Sequence, residues 1–306
     1  MSTLLCSILV PRTSVESGDV LAPHLYDWSF DGVDDYVGVP NTRTLLYGAT
    51  ELTMASWVKH SAVPSGWRNV VSKSSSPLCI QHSSGGEYFE FAIQTSTERT
   101  YVWSTTRTDL NVGKWFHVVA VWKSPTMYLY VNGALESTGT RDGVFVDTTY
   151  DFNIGRASEG SRYFPGFIST ALIYSRALSA VEVQQVYSNS VVNASGLVLF
   201  LDATFFDGSK YVDLSGNGNH GTPYGGVGRI MSTQQWLWHV KALASDGLVH
   251  LRFFPNNTRI YYWNGDVDLI MAPQNTSGLI EDYAIDPGRI SSKGGIKYIV
   301  ISARLP

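Results

Sequence analysis

The stretch GKWFHVVAVWKSPTMYLYVNGALEST, Gly113 to Thr138, decides the fold class. It holds two runs of aromatic and β-branched residues, WFHVVAVWK (Trp115 to Lys123) and MYLYVNG (Met127 to Gly133), too short for helices and rich in the residue types that fit a pleated sheet. The link between them carries Ser124 and Pro125, a composition that suits a tight turn. After the second run, Asn132-Gly133 supplies the two positive φ values of a type I′ hairpin and leads into ALEST. Strand, turn, strand, turn, strand is an antiparallel sheet in the making.

The same grammar extends outward. LTMASWVKH (Leu52 to His60), RNVVSK (Arg68 to Lys73), EYFEFAIQT (Glu87 to Thr95) and TYVWSTT (Thr100 to Thr106) read as further strands, several alternating so that one face is buried and one is wet. One helix is predicted, within RALSAVEVQQVYSN (Arg176 to Asn189). Ser179 caps it, Glu182 completes a capping box, and Leu178, Val183 and Val186 share a face. GLVLFLDA (Gly196 to Ala203) reads as another strand. The run DLSGNGNHGTPYGGVG (Asp213 to Gly228) carries a GxGxxG spacing at Gly216, Gly218 and Gly221 but no Walker lysine and no βαβ unit around it, so it reads as turns and not as a phosphate cradle. From Ile230 to Pro306, the runs QWLWHVKAL, LVHLRFF, RIYYW, VDLIMA and IKYIVISARL, separated by turn residues, predict a second, smaller β-unit. The expected domains are 1–228 and 229–306.

Composition narrows the function. Charged residues are 16% and aromatics 13% of the 306, so the chain has ample material for a core and is not disordered. A net charge of −4 offers no basic excess for phosphates, and nucleic acid is not an expected partner. No apolar run reaches the roughly 18 residues of a membrane span. LLCSILV (Leu4 to Val10) has no preceding Lys or Arg and ends at Pro11, so no signal peptide is expected. Cys6 and Cys79 can supply neither a disulfide framework nor a zinc site.

FDGVDDYVGVP (Phe30 to Pro40), LTMASWVK, GKWFHVVAVW, MYLYVNG, FNIGR (Phe152 to Arg156) and PGFISTALIYSRALSAVEV (Pro165 to Val183), in this order, resemble the laminin G-like, concanavalin A-like jelly-roll domains of many extracellular and viral proteins. The resemblance covers about 160 residues and implies an all-β sandwich with one short helix, here followed by the small C-terminal β domain. Two departures stand out. GLVLFLDA and DLSGNGNHGT look like the opening strand and glycine-rich loop of such domains, yet they follow the helix, so the domain is read as circularly permuted and not as the start of a second copy. Ser169 and Thr170 also stand where the family often carries an acidic pair, which weakens any calcium site relying on it.

Asp31, Asp34 and Asp35 concentrate oxygen ligands in one turn and are the candidate calcium site, with a self-capped surface turn as the alternative. For glycoside hydrolysis, Glu87 and Glu90 are the closest pair on a predicted strand, but a separation of three puts them on opposite faces. GxSxG is absent, the histidines are scattered, His117 reads as a packing residue and Cys79 as a buried one, so no catalytic residue is expected. Trp57 and Trp115 fall at positions that the resemblance makes core. Trp67, Tyr88, Arg99, Tyr101, Trp103 and Tyr163 lie in or beside polar segments and are the candidate ligand-binding set, their aromatic faces suited to pyranose rings. Trp236, Trp238, Tyr261, Tyr262 and Trp263 are the candidate assembly set. Three glycosylation triplets begin at Asn193, Asn256 and Asn275.

An extracellular-type fold without a signal peptide suggests a non-enzymatic virion surface or attachment protein, homo-oligomeric or bound to other virion proteins, that presents the jelly roll to a glycan or protein at a cell surface. The alternative is an extracellular soluble lectin or carbohydrate-binding module. A glycoside hydrolase ranks third. The virion expectation rests on analogy at the level of fold.

Overall fold

The predicted hairpins form. β8 (Phe116–Lys123) and β9 (Thr126–Val131) pair antiparallel across Ser124-Pro125, and β9 pairs with β10 (Ala134–Thr140) across a two-residue turn. In that turn Asn132 has φ 51° and Gly133 φ 78°, the conformation a type I′ turn demands. The computed structural model describes residues 26–231, apart from short breaks at 41, 43–44, 64, 74–77, 147–149 and 188–194, and strands lying between 249 and 303.

Two antiparallel sheets face each other. The first runs β10-β9-β8-β3-β12-β1-β15, where β1 is Tyr26–Asp31, β3 Glu51–His60, β12 Pro165–Tyr174 and β15 Gly228–Met231; β13 (Leu197–Asp202) joins it beside β12. The second runs β14-β2-β11-β4-β5-β6-β7, with β2 Tyr36–Val39, β4 Asn69–Ser72, β5 Leu78–His82, β6 Phe89–Gln94, β7 Arg99–Trp103, β11 Phe152–Ile154 and β14 Thr222–Tyr224. Alternate residues of both sheets meet in one apolar core that includes Trp28, Trp122, Phe91, Phe152 and Ile173. Trp28 meets Tyr211 edge-on, with ring centroids 5.2 Å apart. The jelly-roll sandwich expected from the sequence is present.

β12 is long enough to hold two partners end to end along one side. Pro165 to Ile168 pair with β1, and Thr170 to Tyr174 pair with β13. Thus β13 is part of this sandwich and not the beginning of another. β14 extends the second sheet beside β2, and β15 extends the first beside β1. Tyr26 and Met231 are register partners at the end of that last pair, so a short turn would join β15 directly to β1, the order that the resemblance implies. In this chain β13 instead follows the helix through residues 188–196. The glycine-rich segment builds turns around Asp213, whose carboxylate accepts hydrogen bonds from the backbone N–H groups of Phe200, Ser215 and Asn219.

The helix α1 (Ala180–Tyr187) starts directly after Ser179, as the capping box predicts. Ser179 Oγ accepts from the Glu182 N–H while Glu182 Oε2 accepts from the Ser179 N–H, and Glu182 Oε1 also accepts from Arg176. The Arg176 guanidinium, with these cap bonds, holds the Glu182 carboxyl down at about 2. Leu178, Val183 and Val186 are buried, and Tyr187 stacks on Trp57 over the outer face of the first sheet. Trp57 is therefore buried beneath the helix and not between the sheets. His117 lies in the same layer, its ring 4.9 Å from Trp57, and burial drives its pKa to about 3, in keeping with a packing role. Trp115 departs from expectation: it precedes β8, is half-buried, and carries Lys59 Nζ 4.9 Å above its ring.

The chain divides into two compact units. The sandwich unit comprises 24–188 and 192–232 and so includes β15. In the other unit β16 (Val249–Phe253) pairs with β19 (Glu281–Ile285), and β17 (Thr258–Trp263) lies between β18 (Asp268–Met271) and β22 (Ile299–Ala303). β20 (Ser292–Lys293) pairs with β21 (Ile296–Lys297).

Candidate functional site

The outer face of the second sheet gathers most of the candidate binding residues. Alternation along β7 turns Thr100 and Val102 inward and Arg99, Tyr101 and Trp103 outward. On β6 the outward set is Glu90, Ala92 and Gln94, and on β5 it is Cys79 and Gln81. Antiparallel pairing then sets Trp103 opposite Glu90 and Glu90 opposite Gln81.

These side chains form one connected line across three strands and onto a loop. Trp103 Nε1 donates to Glu90 Oε2 at 2.9 Å, and Gln81 Nε2 donates to Glu90 Oε1 at 2.7 Å. Arg99 Nη2 stands 3.5 Å from Glu90 Oε1. Arg162 Nη1 donates to Gln81 Oε1 at 2.9 Å, and its guanidinium lies 4.9 Å above the Trp67 ring. Glu90 is thus buried but fully accepted, which a buried carboxylate requires. Trp67, Tyr101 and Trp103 are 43%, 44% and 49% exposed. Tyr101 and Trp103 pack with centroids 4.8 Å apart and planes tilted by 40°.

Residues 155–164, between β11 and β12, run beside β4. Asn69 N–H donates to Arg162 O, Gly155 N–H to Val70 O, and Ser72 Oγ to Arg156 O. These bonds bring Arg162 to the line. Cys79 is buried, and desolvation, with the Glu90 charge next in size, pushes its thiol up to about 12, so it is no nucleophile at neutral pH. Cys6 lies outside the described residues.

Not all of the sequence-derived set meets here. Tyr163 belongs to a second aromatic group at the far end of the sheet, where Tyr36 and Tyr224 stack at 4.6 Å and Arg156 lies 3.3 Å over Tyr36. Tyr88 precedes β6, its ring beneath Arg107. Glu87 also precedes β6, bound to Arg107, so the expected placement of Glu87 and Glu90 on opposite faces of one strand gives way to a loop residue and a strand residue. Sequence reasoning missed Arg162 and Gln81. The alternation of LCIQH marks Gln81 as outward, whereas nothing in the local sequence brings Arg162 beside it.

The carboxylates of Asp31, Asp34 and Asp35 lie within 4.8 Å of one another. Asp31 Oδ1 accepts from the N–H groups of Val33 and Asp34, and Asp35 Oδ2 from that of Asp31. Bonding to Val33 N–H holds the Asp31 carboxyl below the usual range, and burial raises that of Asp35. These oxygens serve the turn, and a calcium ion there would need further ligands from carbonyls or water. Ser169 and Thr170, in place of the family's acidic pair, stand on β12 four and five residues beyond Pro165, the partner of Asp31, so acids there would not complete this cluster. In the C-terminal unit Tyr261, Tyr262 and Trp263 lie on β17. Trp236, Trp238 and the triplets starting at Asn193, Asn256 and Asn275 involve residues outside those described.

Comparison of the chain with curated protein sequences gives no match. Among solved structures it is similar to a candidate carbohydrate binding protein of Bacteroides ovatus, with a TM-score of 0.56 and 16% identity, over 69% of this chain and 61% of that one. The chain therefore spans about three fifths of that protein's length. It is also similar to the heptameric SAP-like pentraxin of Limulus polyphemus, with a TM-score of 0.45 and 16% identity, over 68% of this chain and 95% of that one. The family model described as the concanavalin A-like lectin/glucanases superfamily matches residues 31–184. That match takes in just over half of the residues, and the chain belongs to the concanavalin A-like lectin/glucanases superfamily.

Proposed function

We propose that the sandwich is a carbohydrate-binding module whose sugar site is the outer face of the second sheet at β5, β6 and β7. The observation that carries this reading is the set of exposed rings, Trp67, Tyr101 and Trp103, joined to a continuous polar line, Arg162–Gln81–Glu90–Trp103. Aromatic faces stack on the apolar faces of pyranose rings, while the guanidinium groups of Arg99 and Arg162 beside them meet hydroxyls. The bond from Trp103 Nε1 to a buried carboxylate fixes the indole in advance, which lowers the entropy lost on binding. The name of the Bacteroides ovatus neighbour agrees with this reading.

Binding is favoured over turnover because Glu90, the carboxylate at the centre of the face, has both oxygens engaged. A general acid or base needs an oxygen within reach of its substrate. The assembly role expected for the second unit remains a separate proposal, with Tyr261, Tyr262 and Trp263 as its described members. The test of the sugar site is a glycan array on the full chain, followed by calorimetry of the best ligand against Trp103→Ala. We expect about a tenfold loss of affinity, corresponding to roughly 1.4 kcal/mol. Unchanged affinity in that variant would move the site elsewhere.

A further inference from the structure

Arg162 is held in place at some cost and is left with unspent hydrogen-bonding capacity. Its φ is 57°, and the other described non-glycine residue with positive φ, Asn132, sits in a hairpin turn that asks for it. An arginine in this region is strained and persists only where its surroundings enforce it. Three contacts do so: the carbonyl accepts from Asn69 N–H at 3.0 Å, Nη1 donates to Gln81, and the guanidinium lies on Trp67. Arg99, Arg107, Arg141 and Arg176 each pair with a carboxylate. Among the described residues Arg162 pairs with none, and one hydrogen bond to Gln81 leaves most of its five donors for something else. Glu90 does not repel an anion here, because Arg99 offsets its charge.

We propose that Arg162 reads an anionic group, a carboxylate or a sulfate ester, on a sugar stacked beside it, so that the module selects acidic glycans. The inference rests on the carbohydrate-binding reading above. A planar guanidinium matches either group with two parallel hydrogen bonds. Trp67 beneath it presents a flat apolar surface next to the charge, which suits a pyranose ring with an acidic substituent. Glu159, exposed on the same loop, carries a charge that opposes such a ligand.

The experiment is calorimetry of the full chain with trigalacturonic acid, its neutral methyl ester and a 6-sulfated galactotriose, at 50 and 300 mM NaCl. Arg162→Gln and Arg162→Lys are compared with the parent, and thermal melts verify that both variants fold. The expected result is at least tenfold tighter binding of an acidic probe than of the methyl ester, weakened by salt. Arg162→Gln should erase the difference, Arg162→Lys keep part of it, and Glu159→Gln strengthen acidic binding. The two acidic probes separate carboxylate from sulfate recognition. If the methyl ester binds as well as the acids through a Trp103-dependent site, selectivity by Arg162 is wrong and the sugar site stands. If no probe and no array glycan binds, both fall together.

Discussion

At the scale of single residues, two buried polar groups make opposite demands. Glu90 is satisfied from three sides, and removing it strands the buried Gln81 amide and releases the Trp103 indole. Glu90→Ala should cost about 2 kcal/mol of stability, in the range for leaving buried partners unsatisfied, and should shift Trp103 fluorescence as its ring loses its anchor. Urea denaturation and emission spectra check both. His82 and His117 are instead buried without charge, each driven to about 3 by burial, with His60 adding to the effect on His82. His60, whose ring lies 5.2 Å from His82, is lowered in the same direction. The unfolded chain takes up protons near 6.5 that the folded one refuses, so stability is full above that pH and falls as pH drops towards about 3. At pH 5 each of the two costs about 2 kcal/mol. Denaturation at pH 7.5 and pH 5 should show the loss, and His117→Phe, keeping the ring against Trp57, should reduce the dependence by one proton.

At the scale of elements, the local signals were legible because their causes are local. Ser179 and Glu182 bond reciprocally as the capping box predicts, and Ser179→Ala should cost about 1 kcal/mol, read as a lower melting temperature of the sandwich. Asn132-Gly133 forms the predicted turn, but its second reason to be glycine is tertiary. A Cβ at Gly133 would meet Gln184 and Tyr187 of α1 at 2.7 to 2.8 Å, so the helix docks on the hairpin. Gly166 is a similar case within the PGFI string. Its φ is 148°, and a Cβ there would lie 2.3 Å from Lys59 O on the neighbouring strand. Gly166→Ala should therefore destabilise by more than about 1 to 3 kcal/mol, the usual penalty of overpacking, because backbone and not a movable side chain is in the way. Strand ends were less legible: TYVWSTT was predicted to run to Thr106 but pairing stops at Trp103. A strand ends where its partner ends, and the partner is remote in sequence.

At the scale of the whole molecule, β15 and β1 pair as the permuted chain order expected from the resemblance requires. Since Tyr26 and Met231 already face each other, moving residues 196–231 ahead of 26–187 with a short turn should yield a sandwich of nearly the same melting temperature and the same sugar affinity. A marked loss of either would mean that the link through 188–196 contributes to the fold. Ending the chain before β13 should instead prevent folding, because it removes Leu199 and Leu201 from the core and uncovers half of one side of β12. By itself, the sequence determined antiparallel strands with one capped helix, because alternation, turn chemistry and capping act over a few residues, and its family resemblance implied the sandwich. It also placed Trp67, Tyr88, Arg99, Tyr101, Trp103 and Tyr163 in or beside polar segments as a candidate binding set. Only the tertiary structure decided which strands neighbour one another, that Glu90 is the shared acceptor, and that Arg162, beside β4, completes the line. Those relations depend on register between segments tens of residues apart, and register is set by the packing of the entire core.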